Sequence, residues 1–205
     1  MTRKRADEPE QVSPKETEIL LALANGVLST NVSGDFVELG CYRGDTSLLL
    51  QKLLISSGNS SRRLFIYDSF AGLPERSSED SSAAGEAFSA GKLFVTKREV
   101  VEKFKKAGVK LPIIKKGFFE DLGDADLPGL ISFAFLDGDL YGSIKTSLSL
   151  VFPRLVSGGI MVVHDYNNPQ LPGSARAVDE FLRVHPEFRL EARETLAIIR
   201  RGTKS

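Results

Sequence analysis

The chain has 205 residues, 27 Lys plus Arg against 27 Asp plus Glu, and 41% apolar residues, which suits one domain with a sizeable core. Zero net charge argues against a binder of long nucleic acid, which usually carries a basic excess. One cysteine, Cys41, rules out an internal disulfide and suits a reducing compartment, and no apolar run reaches the roughly 18 residues that suggest a membrane span.

The basic start, Met1 to Arg5, leads into acidic residues with no apolar signal segment directly after it. The expectation is a cytoplasmic, soluble protein with no membrane partner and a flexible N-terminus over residues 1–12. A single domain then spans 13–205. Ser13-Pro14-Lys15-Glu16 starts its first helix: Ser13 caps, Pro14 takes the first helical position and Glu16 completes a capping box. From residue 35 a rhythm of strand, turn and helix sets in. Strands are predicted over 35–39, 64–67, 112–115, 131–136 and 159–163, and helices over 46–54, 97–107, 143–152 and 175–183. Two more strands, 188–190 and 196–199, follow with a short link. Alternating strands and helices imply a parallel sheet covered on both faces. The final pair implies an antiparallel edge hairpin. The fold class is therefore α/β: a doubly wound, Rossmann-like, seven-stranded, mostly parallel sheet with an antiparallel C-terminal edge hairpin. One segment, about 70–96, breaks the rhythm. It is rich in Ser, Ala and Gly, and its length suggests a lid; Phe88, Leu93 and Phe94 favour a lid that packs on something.

Ligands of this fold bind outside the carboxyl ends of the strands, so the residues following strands carry the chemistry. After the first comes Glu38-x-Gly40-x-x-x-Gly44, with Tyr42 in the loop and Asp45, Thr46 and Ser47 opening the next helix. The glycines permit a tight turn and close approach to a ligand. The free N–H groups of the helix start suit the carboxylate of a methionine moiety. The spacing differs from the dinucleotide G-x-G-x-x-G. Asp68 and Ser69 follow the second strand, and an acid there accepts hydrogen bonds from ribose hydroxyls. Phe118, Phe119 and Glu120 follow the third, where an adenine ring needs an apolar wall and a few polar contacts. Asp137 and Asp139 follow the fourth, and His164, Asp165 and Tyr166 the fifth. Carboxylates gathered from neighbouring strands would need a hard divalent cation; alternatively Asp139 caps the next helix and Asp165 is a turn residue. His185 in His-Pro-Glu reads as structural.

The stretches VELGCYRGDTS, YDSFAGLPE, GFFED, FLDGDLYGSIKTSL and PRLVSGGIMVVHDY resemble the macrocin O-methyltransferase (TylF/MycF) family of class I S-adenosylmethionine-dependent methyltransferases. The likeness runs from about residue 35 to 183. It implies methyl transfer from S-adenosyl-L-methionine to a hydroxyl on a small molecule such as a sugar or natural product. It also implies a magnesium ion held by an Asp after the fourth strand and an Asp-Asp pair after the fifth. Asp137 and Asp165 match those positions, but His164 stands for the first Asp of the pair. Histidine is a poor ligand for Mg²⁺ and a good one for softer metals. Asp137, His164 and Asp165 are thus the expected catalytic and metal residues, with Mg²⁺ or another divalent cation, and His164 is also a candidate general base. Glu38, Gly40, Tyr42, Gly44, Thr46, Ser47, Asp68, Ser69, Phe119, Glu120 and Asp137 are the expected cofactor contacts. A cofactor-binding module without methyl transfer is the alternative. No nucleic-acid partner is expected, and a homo-oligomer is compatible with the sequence.

Overall fold

A computed structural model describes residues 11–58, 61–82 and 85–201; of the expected flexible N-terminus, residues 1–10 lie outside the described residues. The strands are β1 (Asp35–Leu39), β2 (Leu64–Asp68), β3 (Ile113–Lys116), β4 (Ile131–Leu136), β5 (Leu155–Val163), β6 (Phe188–Arg193) and β7 (Leu196–Arg201). They form one sheet in the order β3-β2-β1-β4-β5-β7-β6. The first five are parallel, and β7 runs antiparallel to both β5 and β6. The order reverses at β1, so the loops after β1 and β4 open side by side, where this architecture places its ligand.

The helices are α1 (Pro14–Ser29), α2 (Asp45–Ser56), α3 (Lys97–Lys106), α4 (Tyr141–Val151) and α5 (Pro172–Val184). All six residues of β4 are buried, as a central strand covered on both faces requires. The period-two alternation divides them. Phe133 and Phe135 pack with Leu20, Leu50 and Phe104 of α1, α2 and α3, whereas Ala134 and Leu136 pack with Ile144, Leu148 and Val178 of α4 and α5.

Several boundaries differ from the sequence expectation by one to four residues, two of them at small residues or proline. The strand predicted to begin at residue 159 starts at Leu155 as β5. Its register with β4 jumps between the pairs Ile131↔Leu155 and Phe133↔Ile160, so the small residues Ser157, Gly158 and Gly159 bulge out without ending the strand. The last helix starts at Pro172 rather than Ala175, with proline in its first turn where its missing N–H costs nothing.

The segment about 70–96 is a packed strap. Leu73, Phe88 and the half-buried Leu93 cluster with Leu140 and Leu171. Asp80, 1% exposed, accepts from the backbone N–H of Tyr141 at 2.7 Å and from that of Ser77 at 3.0 Å. Ser82 Oγ donates to the Gln170 carbonyl at 2.7 Å. The strap therefore ties itself to the starts of both α4 and α5.

Candidate active site

The signature loop is built around close approach and left-handed backbone. Gly40 has φ +92°, and a Cβ there would lie 1.9 Å from the carbonyl oxygen of Asp137. Tyr42 and Gly44 also have positive φ. The Gly40 N–H bonds to the Tyr67 carbonyl, the Asp137 N–H to Leu39 and the His164 N–H to Leu136, so the three functional loops leave their strands in register. Glu38 is fully buried and accepts from the hydroxyls of Thr46 and Ser47; burial pushes its pKa up to about 8. Glu38, Thr46 and Ser47 thus brace the turn from inside and do not line the cleft.

The cleft above this loop is lined by Gly40, Tyr42, Asp68, Ser69, Phe118, Phe119 and Asp137, among others, a mix of apolar walls and a few polar groups that suits a small molecule. Asp68 Oδ2 accepts from the N–H groups of Cys41 and Tyr42 at 3.0 and 2.9 Å, and Oδ1 from Phe70 at 2.8 Å. A carboxylate offers about four acceptor sites, so Asp68 both holds the loop and keeps capacity for a ligand hydroxyl. Burial raises its pKa despite these donors. Both Phe118 and Phe119 reach the cleft, while Glu120 is exposed and lies outside its lining. Leu73, Pro74 and Leu93 of the strap close one side; of these the sequence marked Leu93 as part of a packed lid.

At the edge of the cleft lies an acidic rim. His164 Nδ1 is 2.9 Å from Asp137 Oδ1 and 3.1 Å from Asp165 Oδ2. Its Nε2 is 3.7 Å from Glu16 Oε2. The ring is 6% exposed. Burial opposes its protonation, but the Asp137 charge and the pairings with Asp137, Asp165 and Glu16 outweigh this and raise its pKa well above the ordinary value. Glu16 is held far below the usual carboxylate range, chiefly by His164, against the effect of burial. The sequence read Glu16 as a capping-box residue. It is one, accepting from the Ser13 N–H at 2.8 Å, but its other oxygen takes the Thr195 hydroxyl. That pairing spans 179 residues and leaves no trace in local spacing. Asp139 does not cap α4; Leu140 is the capping position, without a side-chain bond, and Asp80 supplies the acceptor. Asp139 has φ +58° and lines the cleft. Burial, then the charges of Asp137 and Asp165, raise its pKa well above the ordinary value. His185 is structural: its ring lies 4.4 Å from that of Phe152 and 4.5 Å from that of Phe181.

The strand order, the reversed terminal hairpin, the glycine loop after β1 and the acid after β2 define the class I S-adenosylmethionine-dependent methyltransferase fold. The chain belongs to the macrocin-O-methyltransferase (TylF) family, whose description matches residues 14–188. It is 34% identical over 146 residues to the 8-demethyl-8-(2,3-dimethoxy-alpha-L-rhamnosyl)-tetracenomycin-C 4'-O-methyltransferase of Streptomyces olivaceus, a match covering 68% of this chain and 56% of that protein. It is 28% identical over 173 residues to the demethyldecarbamoylnovobiocin O-methyltransferase of Streptomyces niveus, covering 82% and 65%. The matched region thus spans less than two thirds of either relative. The solved structure of the O-methyltransferase NovP superposes with a TM-score of 0.80 at 26% identity, over 93% of this chain and 80% of that one.

Proposed function

We propose that the protein transfers a methyl group from S-adenosyl-L-methionine to a hydroxyl of a small molecule of the sugar or natural-product type. The observation that carries this reading is that the cofactor-type cleft and the acidic rim are continuous: Asp137 and His164 line the cleft and also form the rim. The tetracenomycin and novobiocin O-methyltransferases named above support the substrate class.

In this reading the Gly40–Gly44 loop receives the methionine part of the cofactor, Asp68 a ribose hydroxyl, and Phe118 or Phe119 the adenine face. The acceptor oxygen forms a bond to the methyl carbon as the carbon–sulfur bond breaks, giving S-adenosylhomocysteine and the methyl ether. Much of the acceleration comes from holding oxygen and methyl in line. The hydroxyl proton goes to a carboxylate of the site. Both His164 nitrogens face carboxylates, which argues against that ring as the base. Asp139 also lines the cleft and has a raised proton affinity, so it fits the role better.

The rim also fits a divalent cation. One ligand atom each from Asp137, His164 and Asp165 lie within 4.8 Å of one another, and the Nδ1–oxygen separations of 2.9 and 3.1 Å match the roughly 3 Å between adjacent ligands on a cation with bonds of about 2.1 Å. A cation bound there supplies Lewis acidity that lowers the hydroxyl's pKa. The test is calorimetry with S-adenosylhomocysteine together with a methyl-transfer assay on hydroxylated sugars and glycosides. Asp137→Ala should abolish transfer while the protein still binds S-adenosylhomocysteine. Full activity in that variant would refute the assignment, and cofactor binding with no turnover on any hydroxylated acceptor would favour a binding module.

A further inference from the structure

The rim has a layer behind it that the methyl-transfer reading does not use. Glu16 is 5% exposed and approaches the face of His164 opposite the two aspartates, so the imidazole is held between carboxylates at both ends. The position of Glu16 is over-determined. Its Oε2 takes the Ser13 N–H, its Oε1 the Thr195 hydroxyl and the Thr195 N–H at 3.3 Å. A cation held by Asp137 and Asp165 would take the place of a proton at Nδ1, leaving the ring proton on Nε2, on the side of the fixed Glu16 carboxylate. A carboxylate behind a ligating histidine orients the ring and raises its basicity.

We propose that Glu16 is a positioning residue for the metal site. With His164, it suits the Asp137–His164–Asp165 rim to borderline divalent cations such as Co²⁺, Ni²⁺ or Zn²⁺ in preference to Mg²⁺. The donor set supports this, since one imidazole nitrogen with two carboxylates matches borderline cations, whereas Mg²⁺ prefers oxygen throughout. The inference rests on the same rim as the methyl-transfer reading, so its test uses neither cofactor nor acceptor. Failure of the metal preference would then leave methyl transfer to its own assay.

The experiment titrates the full chain with Co²⁺ and with Mg²⁺ by calorimetry and records the visible spectrum of bound Co²⁺. The wild type should bind Co²⁺ more tightly than Mg²⁺, with a spectrum that shows nitrogen ligation. His164→Asp should lose the nitrogen signature and lower the Co²⁺-to-Mg²⁺ affinity ratio by about tenfold or more. Glu16→Gln should weaken Co²⁺ binding by about tenfold or more. In the His164→Asp background, Glu16→Gln should change nothing, because no imidazole is left to orient; a merely structural Glu16 would act alike in both backgrounds. Gln preserves the capping box. If that variant does not fold, Glu16→Asp, which withdraws the carboxylate by one methylene, carries the same comparison. An affinity ratio unchanged by His164→Asp, absence of Co²⁺ binding, or equal effects of the Glu16 variant in the two backgrounds would overturn the proposal.

Discussion

Two buried glutamates, Glu38 and Glu16, have opposite electrostatic fates. Glu38 accepts hydrogen bonds from neutral hydroxyls, and burial drives its pKa from 4.5 to about 8; Glu16 faces His164 and is held low. A carboxyl whose pKa is raised on folding binds more protons in the native state, so its contribution to stability falls as pH rises from about 4.5 to about 8. Glu38→Gln removes that titration. Its stability relative to wild type should be flat below about pH 4.5 and improve towards pH 8, by up to about 1.4 kcal/mol per pH unit, read from urea midpoints across that range. A difference that does not vary with pH would show that Glu38 is ionised in the folded protein.

The strap is the element whose behaviour tests the packing argument. Asp80 supplies the acceptor that α4 lacks at its own start, and loss of such a cap costs about 1 kcal/mol. In Asp80→Ala, hydrogen exchange should quicken over residues 72–82 and the first turn of α4 while β1, β4 and β5 keep their protection. Uniform quickening would mean that the strap has no local stability of its own. The elements themselves were legible in the sequence because each carries a strong local signal: the capping box at Ser13, the alternating apolar residues of β1 and β4, and the glycines after β1. The candidate site was legible where its residues follow a strand end, as at Gly40, Asp68 and Asp137 in the cleft and Asp165 on the rim. Glu120 misled because its place in the loop after β3 gives no indication of the direction in which its side chain leaves the short helical turn. Glu16 and Asp80 were missed as site residues because each acts on a partner distant in sequence, on Thr195 and His164 or on Tyr141.

For the molecule as a whole, the cleft joins loops from β1, β2 and β4 with the strap, so a ligand that fills it couples the two halves of the sheet. S-adenosylhomocysteine at about 100 times its dissociation constant should stabilise the fold by about 2.7 kcal/mol. That corresponds to a rise in Tm of roughly 5–11 °C for a chain of this size. NADH should produce no shift, because Tyr42 and Asp45 occupy the positions where a dinucleotide loop needs glycine. A shift with NADH and none with S-adenosylhomocysteine in a thermal melt would reverse the cofactor assignment. The Asp80 tether also constrains how this scaffold can be re-engineered. A strap transplanted from another protein to change acceptor selectivity must bring its own acceptor for the Tyr141 N–H. It must also leave room at Gly173, where a Cβ would lie 2.0 Å from Asp80 Oδ1. Portability of this segment is therefore governed by one carboxylate and one glycine on opposite sides of the graft junction, whatever residues face the acceptor.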